Sequence, residues 1–182
     1  MIEIPGLQIR RLEPSDAALF REIRLEALQQ NPGAFGSTFE QENTQPLSWF
    51  EAALVRRDVF GAFLDGTLAG TAGFRAQENP KHAHKAVLWD MYVRADARNA
   101  GLGRKLVAAV LDHARGRVEM VQLTVVSENE DARRLYDALG FVEYGYEKRA
   151  HKQNGRYYDE VLMVKFLDEG LSQNPTKKDA ER

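Results

Sequence analysis

Apolar positions recur along the chain with two periods, and the periods divide it into short elements. Leu88-Trp89-Asp90-Met91-Tyr92-Val93 is nearly continuous apolar sequence and predicts a central strand. Leu102, Leu106, Val107, Val110 and Leu111 share one helical face, so a helix is expected from about Leu102 to Arg115-Gly116. Upstream, Leu7 to Leu12 reads as a first strand with Ile9 its most apolar residue. Pro14-Ser15-Asp16 signals a helix start. Leu19, Ile23, Ala27 and Leu28 follow on one face, with Phe20 beside them, until Asn31-Pro32-Gly33 ends the pattern. Ala34 to Gln45 is polar and aperiodic, and an irregular stretch is expected there. Pro46 to Val55 predicts a short helix carrying Trp49, Phe50 and Leu54.

Val59 to Leu64 and Thr67 to Phe74 form a hairpin on Asp65-Gly66, a two-residue turn signal. Gln77 to Lys85 reads as a polar loop. Beyond the central helix come a strand at Met120 to Val126 and a helix at Asp131 to Leu139, with Gly140 just past its end. Phe141 to Arg149 and Tyr157 to Leu167 are two long strands joined at Asn154-Gly155. The order β-α-α-β-β-β-α-β-α-β-β predicts a single α/β domain over residues 1–167, a mixed sheet with helices on both faces. Residues 168–182 are polar, end in charges and are expected to form a flexible tail.

Composition narrows the function. With 25 basic and 27 acidic residues the chain lacks the basic excess of a nucleic-acid footprint. Without cysteine there is no disulfide framework, thiolate nucleophile or Cys-based zinc site. Met1-Ile2-Glu3-Ile4-Pro5 lacks the features of a signal peptide, and no run is long and apolar enough to span a membrane. A cytoplasmic protein is the expectation. His82-x-His84 has no third ligand nearby, so no metal is expected.

The candidate chemistry lies in the turn Arg98-Asn99-Ala100-Gly101-Leu102-Gly103. Gly101 and Gly103 let the backbone approach a bulky group. A helix starting there aims unpaired N–H groups and its positive dipole end at one spot, which suits a phosphate. Arg98 and Arg104 add fixed positive charge. The turn is neither Gly-x-Gly-x-x-Gly nor a Walker loop. Taken alone it is equally a helix start with two structural glycines. A second motif follows: Leu123 to Val126, Asn129, Ala132, Leu135-Tyr136 and Gly140-Phe141.

In this order and separation the two motifs resemble the GNAT superfamily of N-acetyltransferases, more weakly over Gln8 to Leu167 as a whole. The resemblance implies a GNAT-like domain of about seven strands. Its central parallel strands would splay apart around the pantetheine arm of acetyl-CoA. It places the pyrophosphate on the turn from Arg98 through Asn99, Ala100, Gly101, Leu102 and Gly103 to Arg104, and the pantetheine along Met91, Tyr92 and Val93 as if it were an extra strand. A backbone N–H there can face a developing oxyanion. Asn129 is implied to bond the cofactor, and it can equally cap a helix. Tyr136 is implied to protonate the departing thiolate; it can equally be a core aromatic. Asn129 and Tyr136 are about two turns apart and so share a helix face. The stretch Ala34 to Gln45 is implied to lie over the acceptor. Homodimers are frequent in the family, so a homodimer joins the expected partners.

An alkyl amine is neutral in only about one molecule in 2,500 at about pH 7, so something must take its proton. Asp90, Glu40, Glu42, His84, Glu160 and water are the candidates. Glu160 alternates with Leu162 and Val164 and could point inward. Glu40, Glu42 and His84, each taken alone, read rather as solvated loop side chains, and Asp90 can instead be a solvated or structural carboxylate. Some relatives that acetylate protein N-termini carry a glutamate five residues before the asparagine; here that position is Thr124. The leading expectation is acetyl transfer to a primary amine of a small molecule. The alternatives are acetylation of a protein N-terminus or lysine, and a non-catalytic acyl-CoA sensor.

Overall fold

The computed structural model describes residues 4–167, so the expected tail from Asp168 to Arg182 lies outside them. In chain order the strands are β1 (Leu7–Arg11), β2 (Asp58–Leu64), β3 (Thr67–Ala76), β4 (Lys85–Val93), β5 (Met120–Val126), β6 (Val142–Gln153) and β7 (Arg156–Phe166). The helices are α1 (Ala17–Gln30), α2 (Phe39–Asn43), α3 (Leu47–Arg56), α4 (Leu102–Ala114) and α5 (Glu130–Ala138). One seven-stranded sheet runs in the order β1-β2-β3-β4-β5-β7-β6. Its β4–β5 pair is parallel and its other neighbours are antiparallel.

The two hairpin turns form where expected. Asp65 and Gly66, and Asn154 and Gly155, all have positive φ, the backbone that a two-residue turn between twisted strands requires. The sheet is covered on both faces. On one, Leu102, Leu106, Val107, Val110 and Leu111 of α4 are buried as predicted, with Tyr136 of α5 in the same core. On the other, Phe20, Ile23 and Ala27 of α1 meet Phe50 and Leu54 of α3. Burying these side chains, at about 25 cal/mol per Å² of apolar surface, is what holds the helices to the sheet.

Two expectations need correction. Leu19 is not on the buried stripe of α1 and stays 42% exposed. Ile23, Ala27 and Leu28 are buried as expected, and the buried face widens through Phe20 and Arg24 on the side away from Leu19. The stretch Ala34 to Gln45 is not irregular throughout, because Phe39–Asn43 forms the short helix α2. Thr38 and Gln41 start it with a reciprocal capping box, each side chain taking the other's backbone N–H.

The feature that matters for function is a failure of pairing. β4 and β5 pair only through Lys85–Met120, Ala86–Val121 and Val87–Gln122. Beyond that they separate, and β5 keeps its register with β7 out to Val126–Glu160. A bulge bends β4 at the same level. Thr71 pairs with Tyr92 and Gly73 with Trp89, so Asp90 and Met91 together oppose one residue of β3. Asp90 has φ +52°, an uncommon left-handed conformation for a residue with a side chain.

Candidate active site

A cleft of about 500 Å³ opens where β4 and β5 part. Its floor is β4 from Leu88 to Val93, whose edge toward β5 has no strand partner. Met91 and Val93 send their side chains toward the start of α4, where a Cβ on Gly103 would meet Met91 Cε at 3.0 Å and Val93 Cγ2 at 3.9 Å. Tyr92 points the other way and donates its hydroxyl to Glu26 on α1 at 2.9 Å. Its contribution to the cleft is therefore backbone.

The turn before α4 forms one end of the cleft. Asn99 and Gly101 both take left-handed φ, +61° and +83°, which coils the chain tightly into the helix. Among the described residues, no acceptor takes the backbone N–H groups of Asn99 through Arg104. The first intrahelical bond is from Lys105 N–H to Gly101 O, 3.2 Å. A run of free amides at the positive end of a helix dipole is an anion cradle. Arg98 donates Nε–H to Val93 O at 2.9 Å and leaves its guanidinium exposed at the mouth. Arg104 is exposed in the first turn. Of the expected turn residues Ala100 alone is not in the cleft wall; it is exposed on the outside of the turn.

The opposite wall is β5 and α5. Asn129 caps α5 by accepting the N–H of Ala132 at 3.2 Å, and it faces the cleft as well. Tyr136, two turns on, lies in the wall at 5% exposure, its ring edge-on to Phe141 at 5.7 Å. Burial pushes its phenol well above the ordinary tyrosine value, so it stays protonated at any physiological pH. Thr124 also lines the cleft, a hydroxyl side chain in place of a carboxylate at that position.

The proton-acceptor candidates have different fates. Glu42 is not a solvated loop side chain. It is buried, and both its oxygens take Arg24, Oε2 from Nε at 2.9 Å and Oε1 from Nη2 at 2.7 Å. Asp90, also buried, takes Arg24 Nη1 on Oδ1 at 2.7 Å and the Thr71 hydroxyl on Oδ2 at 3.2 Å. Burial raises the Asp90 carboxyl above its ordinary value, and the Arg24 charge opposes that rise. Burial also works against the Arg24 charge, but the two carboxylates outweigh it and hold the guanidinium protonated. His84 sits before the first residue of β4, six residues and about 20 Å from the bulge. Glu160 lies 3.5 Å from His151 Nδ1, and His151 Nε2 bonds Gly33 O at 2.9 Å, tying the loop after α1 to the β6–β7 hairpin. Glu40 is exposed on α2.

Arg24 was not among the expected site residues. Its signal was an arginine inside an otherwise apolar helical stripe, where a charge needs a buried partner. Behind β4, on the α1 and α3 side of the sheet, lies a second chamber of about 300 Å³. Trp89 lines both chambers, its indole lying flat where a Cβ on Gly73 would come within 2.4 Å of it. Among the described residues no cluster of three or more His, Asp or Glu side chains could hold a metal. No described helix is long and apolar enough to cross a membrane.

This arrangement has known counterparts. The family model for the acetyltransferase (GNAT) family matches residues 20–141. The L-amino acid N-acyltransferase MnaT of Escherichia coli (strain K12) is 28% identical, over 90% of this chain and 95% of its own. A GNAT-family acetyltransferase of Streptococcus pneumoniae superimposes with TM-score 0.77 at 26% identity, covering 89% of this chain and 99% of that one. The yncA structure of Salmonella typhimurium, described with its cofactor acetyl-CoA, superimposes with TM-score 0.75 at 24% identity, covering 93% of this chain and 98% of that one. The splayed parallel strands, the bulge and the amide-lined turn thus stand within a matched sequence span and a shared fold, and the chain belongs to the GNAT family of acetyltransferases.

Proposed function

We propose that the protein transfers the acetyl group of acetyl-CoA to the primary amine of a small molecule, of the amino-acid class that its Escherichia coli relative is named for. The observation that carries this is the pair of chambers meeting at Trp89. One is long and ends in free amides; the other is a recess of about 300 Å³, sized for a small molecule rather than a peptide chain.

The residues fit the donor. The amides of Asn99 through Arg104 hold the pyrophosphate, with Arg98 and Arg104 adding charge at the mouth. The open edge of Met91, Tyr92 and Val93 pairs with the amide groups of the pantetheine arm, and Asn129 bonds it from the far wall. When bound, acetyl-CoA supplies an acyl thioester for attack by the amine. The bulge at Asp90 and Met91 turns a backbone N–H of β4 toward the developing oxyanion. Tyr136 holds a proton at its phenol oxygen and gives it to the departing thiolate. Burial that raises the phenol also disfavours a thiolate beside it, so the two stay matched. Asp90 and Glu42 are engaged by Arg24, which leaves water as the carrier of the amine proton. A homodimer is supported by apolar side chains on the outer β6–β7 hairpin, with Val142 46% and Tyr144 51% exposed, and sedimentation reads it directly.

The test is thiol release from acetyl-CoA against amines and peptides, wild type beside Tyr136→Phe. Tyr136→Phe is expected to lower kcat by about 10²–10⁴-fold with acetyl-CoA affinity retained. Because the phenol is raised, no loss of activity from its ionisation is expected up to about pH 10. Equal kcat in both proteins sinks the acid role. Turnover on peptides but on no small amine sinks the acceptor reading.

A further inference from the structure

The recess behind Trp89 is charged unevenly. Of the groups in its wall, Arg24 and Glu42 neutralise each other, and Asp90 takes a further N–H of Arg24. Three of the five Arg24 N–H donors are thus engaged and its charge is compensated by both carboxylates. Arg57 is different. It stands at the C-cap of α3, half-buried in the same wall, and has no ion pair among the described residues. Its guanidinium lies 4.9 Å from the centre of the Trp89 ring. Gly73 lets that indole lie flat on the sheet, so the ring is a fixed shelf and the guanidinium is presented on it.

Arg57 is therefore a cation short of an anion. Burial first, then the charges of Arg75 and Arg24, work against its protonated form, and the more weakly felt Glu42 and Asp90 work for it. Both nearby carboxylates, Glu42 and Asp90, are hydrogen-bonded to Arg24, so among the described residues Arg57 has no bonded anion of its own. The remainder of the recess offers apolar surface from Phe20 and Trp49 and neutral amides from Gln41 and Gln45. A carboxylate matches the fork of Arg57 with two parallel hydrogen bonds, which a simple amine cannot supply.

We propose that Arg57 binds the carboxylate of the acetyl acceptor, and that this contact selects amino acids over amines lacking one. The inference rests on the small-amine reading above and names the group that reads the substrate. Trp89 then divides the labour, with the carboxylate held on its recess side and the amine directed toward the bulge of β4.

The experiment is steady-state thiol release from acetyl-CoA with L-amino acids, their carboxamides and the corresponding decarboxylated amines. Wild type, Arg57→Gln and Arg57→Lys are compared, and acetyl-CoA affinity is measured for each as a check on folding. Wild type is expected to prefer acid over amide by at least tenfold in kcat/KM. Arg57→Gln is expected to lower kcat/KM for the acids by roughly 10- to 100-fold, mostly through KM, and to leave the amides unchanged, so the preference disappears. Arg57→Lys is expected to recover part of it, since it keeps the charge without the fork. An acid preference that survives Arg57→Gln overturns the assignment. Equal turnover of acids and amides by wild type overturns the carboxylate inference while leaving the small-amine reading intact. Turnover of peptides alone, with acetyl-CoA affinity retained, overturns both.

Discussion

Arg24 ties three elements of this structure together. It is 7% exposed, and its guanidinium joins α1 to α2 through Glu42 and to the β4 bulge through Asp90. The left-handed Asp90 backbone costs about 1 kcal/mol or more for a residue with a Cβ, and this ion pair holds it there. Replacing Arg24 by Met should therefore cost about 3–5 kcal/mol, read as a fall in urea midpoint, because two buried carboxylates lose their counter-charge. The sign of the pH effect follows. Burial already raises Asp90, and without Arg24 it rises further above its unfolded value. A carboxyl raised on folding adds stability at low pH that fades as pH climbs through the folded pKa. Arg24→Met should thus lose less against wild type at pH 5 than at pH 8, and the double variant with Asp90→Asn should be more stable than Arg24→Met alone at pH 8. A loss that is independent of pH would deny this account. The triad was only half legible in the sequence. Asp90 and Glu42 were visible as candidate carboxylates, but their common partner lies 66 and 18 residues away along the chain.

Among the elements, the turn into α4 was the most legible, because its signals are local. Glycine at a helix start and a stripe of apolar residues every three or four positions act within one or two turns. The two glycines nonetheless do different things. Gly101 has φ +83°, and among the described residues the only neighbour within reach of a Cβ is Ile4 at 3.7 Å. Gly101→Ala should therefore lower stability by about 1–2 kcal/mol through backbone strain rather than by a clash. Gly103 has no such φ, but a side chain there would meet Met91 and Leu135 at 3.0 and 3.3 Å, inside the cleft. Gly103→Val should leave thermal stability nearer wild type and raise the Kd for coenzyme A, which calorimetry separates from the Gly101→Ala effect. If both variants lose stability equally with affinity unchanged, the turn is structural only. The short helix α2 escaped sequence reading because five residues leave no periodicity to see, although the pair Thr38 and Gln41 was a usable sign.

At the scale of the whole molecule, the sheet is complete except where β4 and β5 part. That gap costs strand pairing, and a ligand that pairs with the free edge recovers it. At one hundred times its Kd, acetyl-CoA should stabilise the protein by about 2.7 kcal/mol. Hydrogen exchange should then slow at the amides of Leu88 to Val93 that face β5, and change little at Lys85 to Val87, which are already paired. Equal slowing along all of β4 would mean that the ligand acts through global stability rather than by filling the gap.

The order of strands and helices, both tight hairpins and the amide turn follow from residues close together in the chain. Their physics is local: backbone φ at Asp65-Gly66, Asn154-Gly155 and Gly101, and one face of a helix at Leu102 to Leu111. The family resemblance rests on the same local motifs. The folded molecule alone unites Arg24 with Asp90, bends β4 against Gly73, and lays Arg57 on Trp89 behind it. Buried charges find partners wherever the sheet brings them, and sequence separation carries no record of that distance.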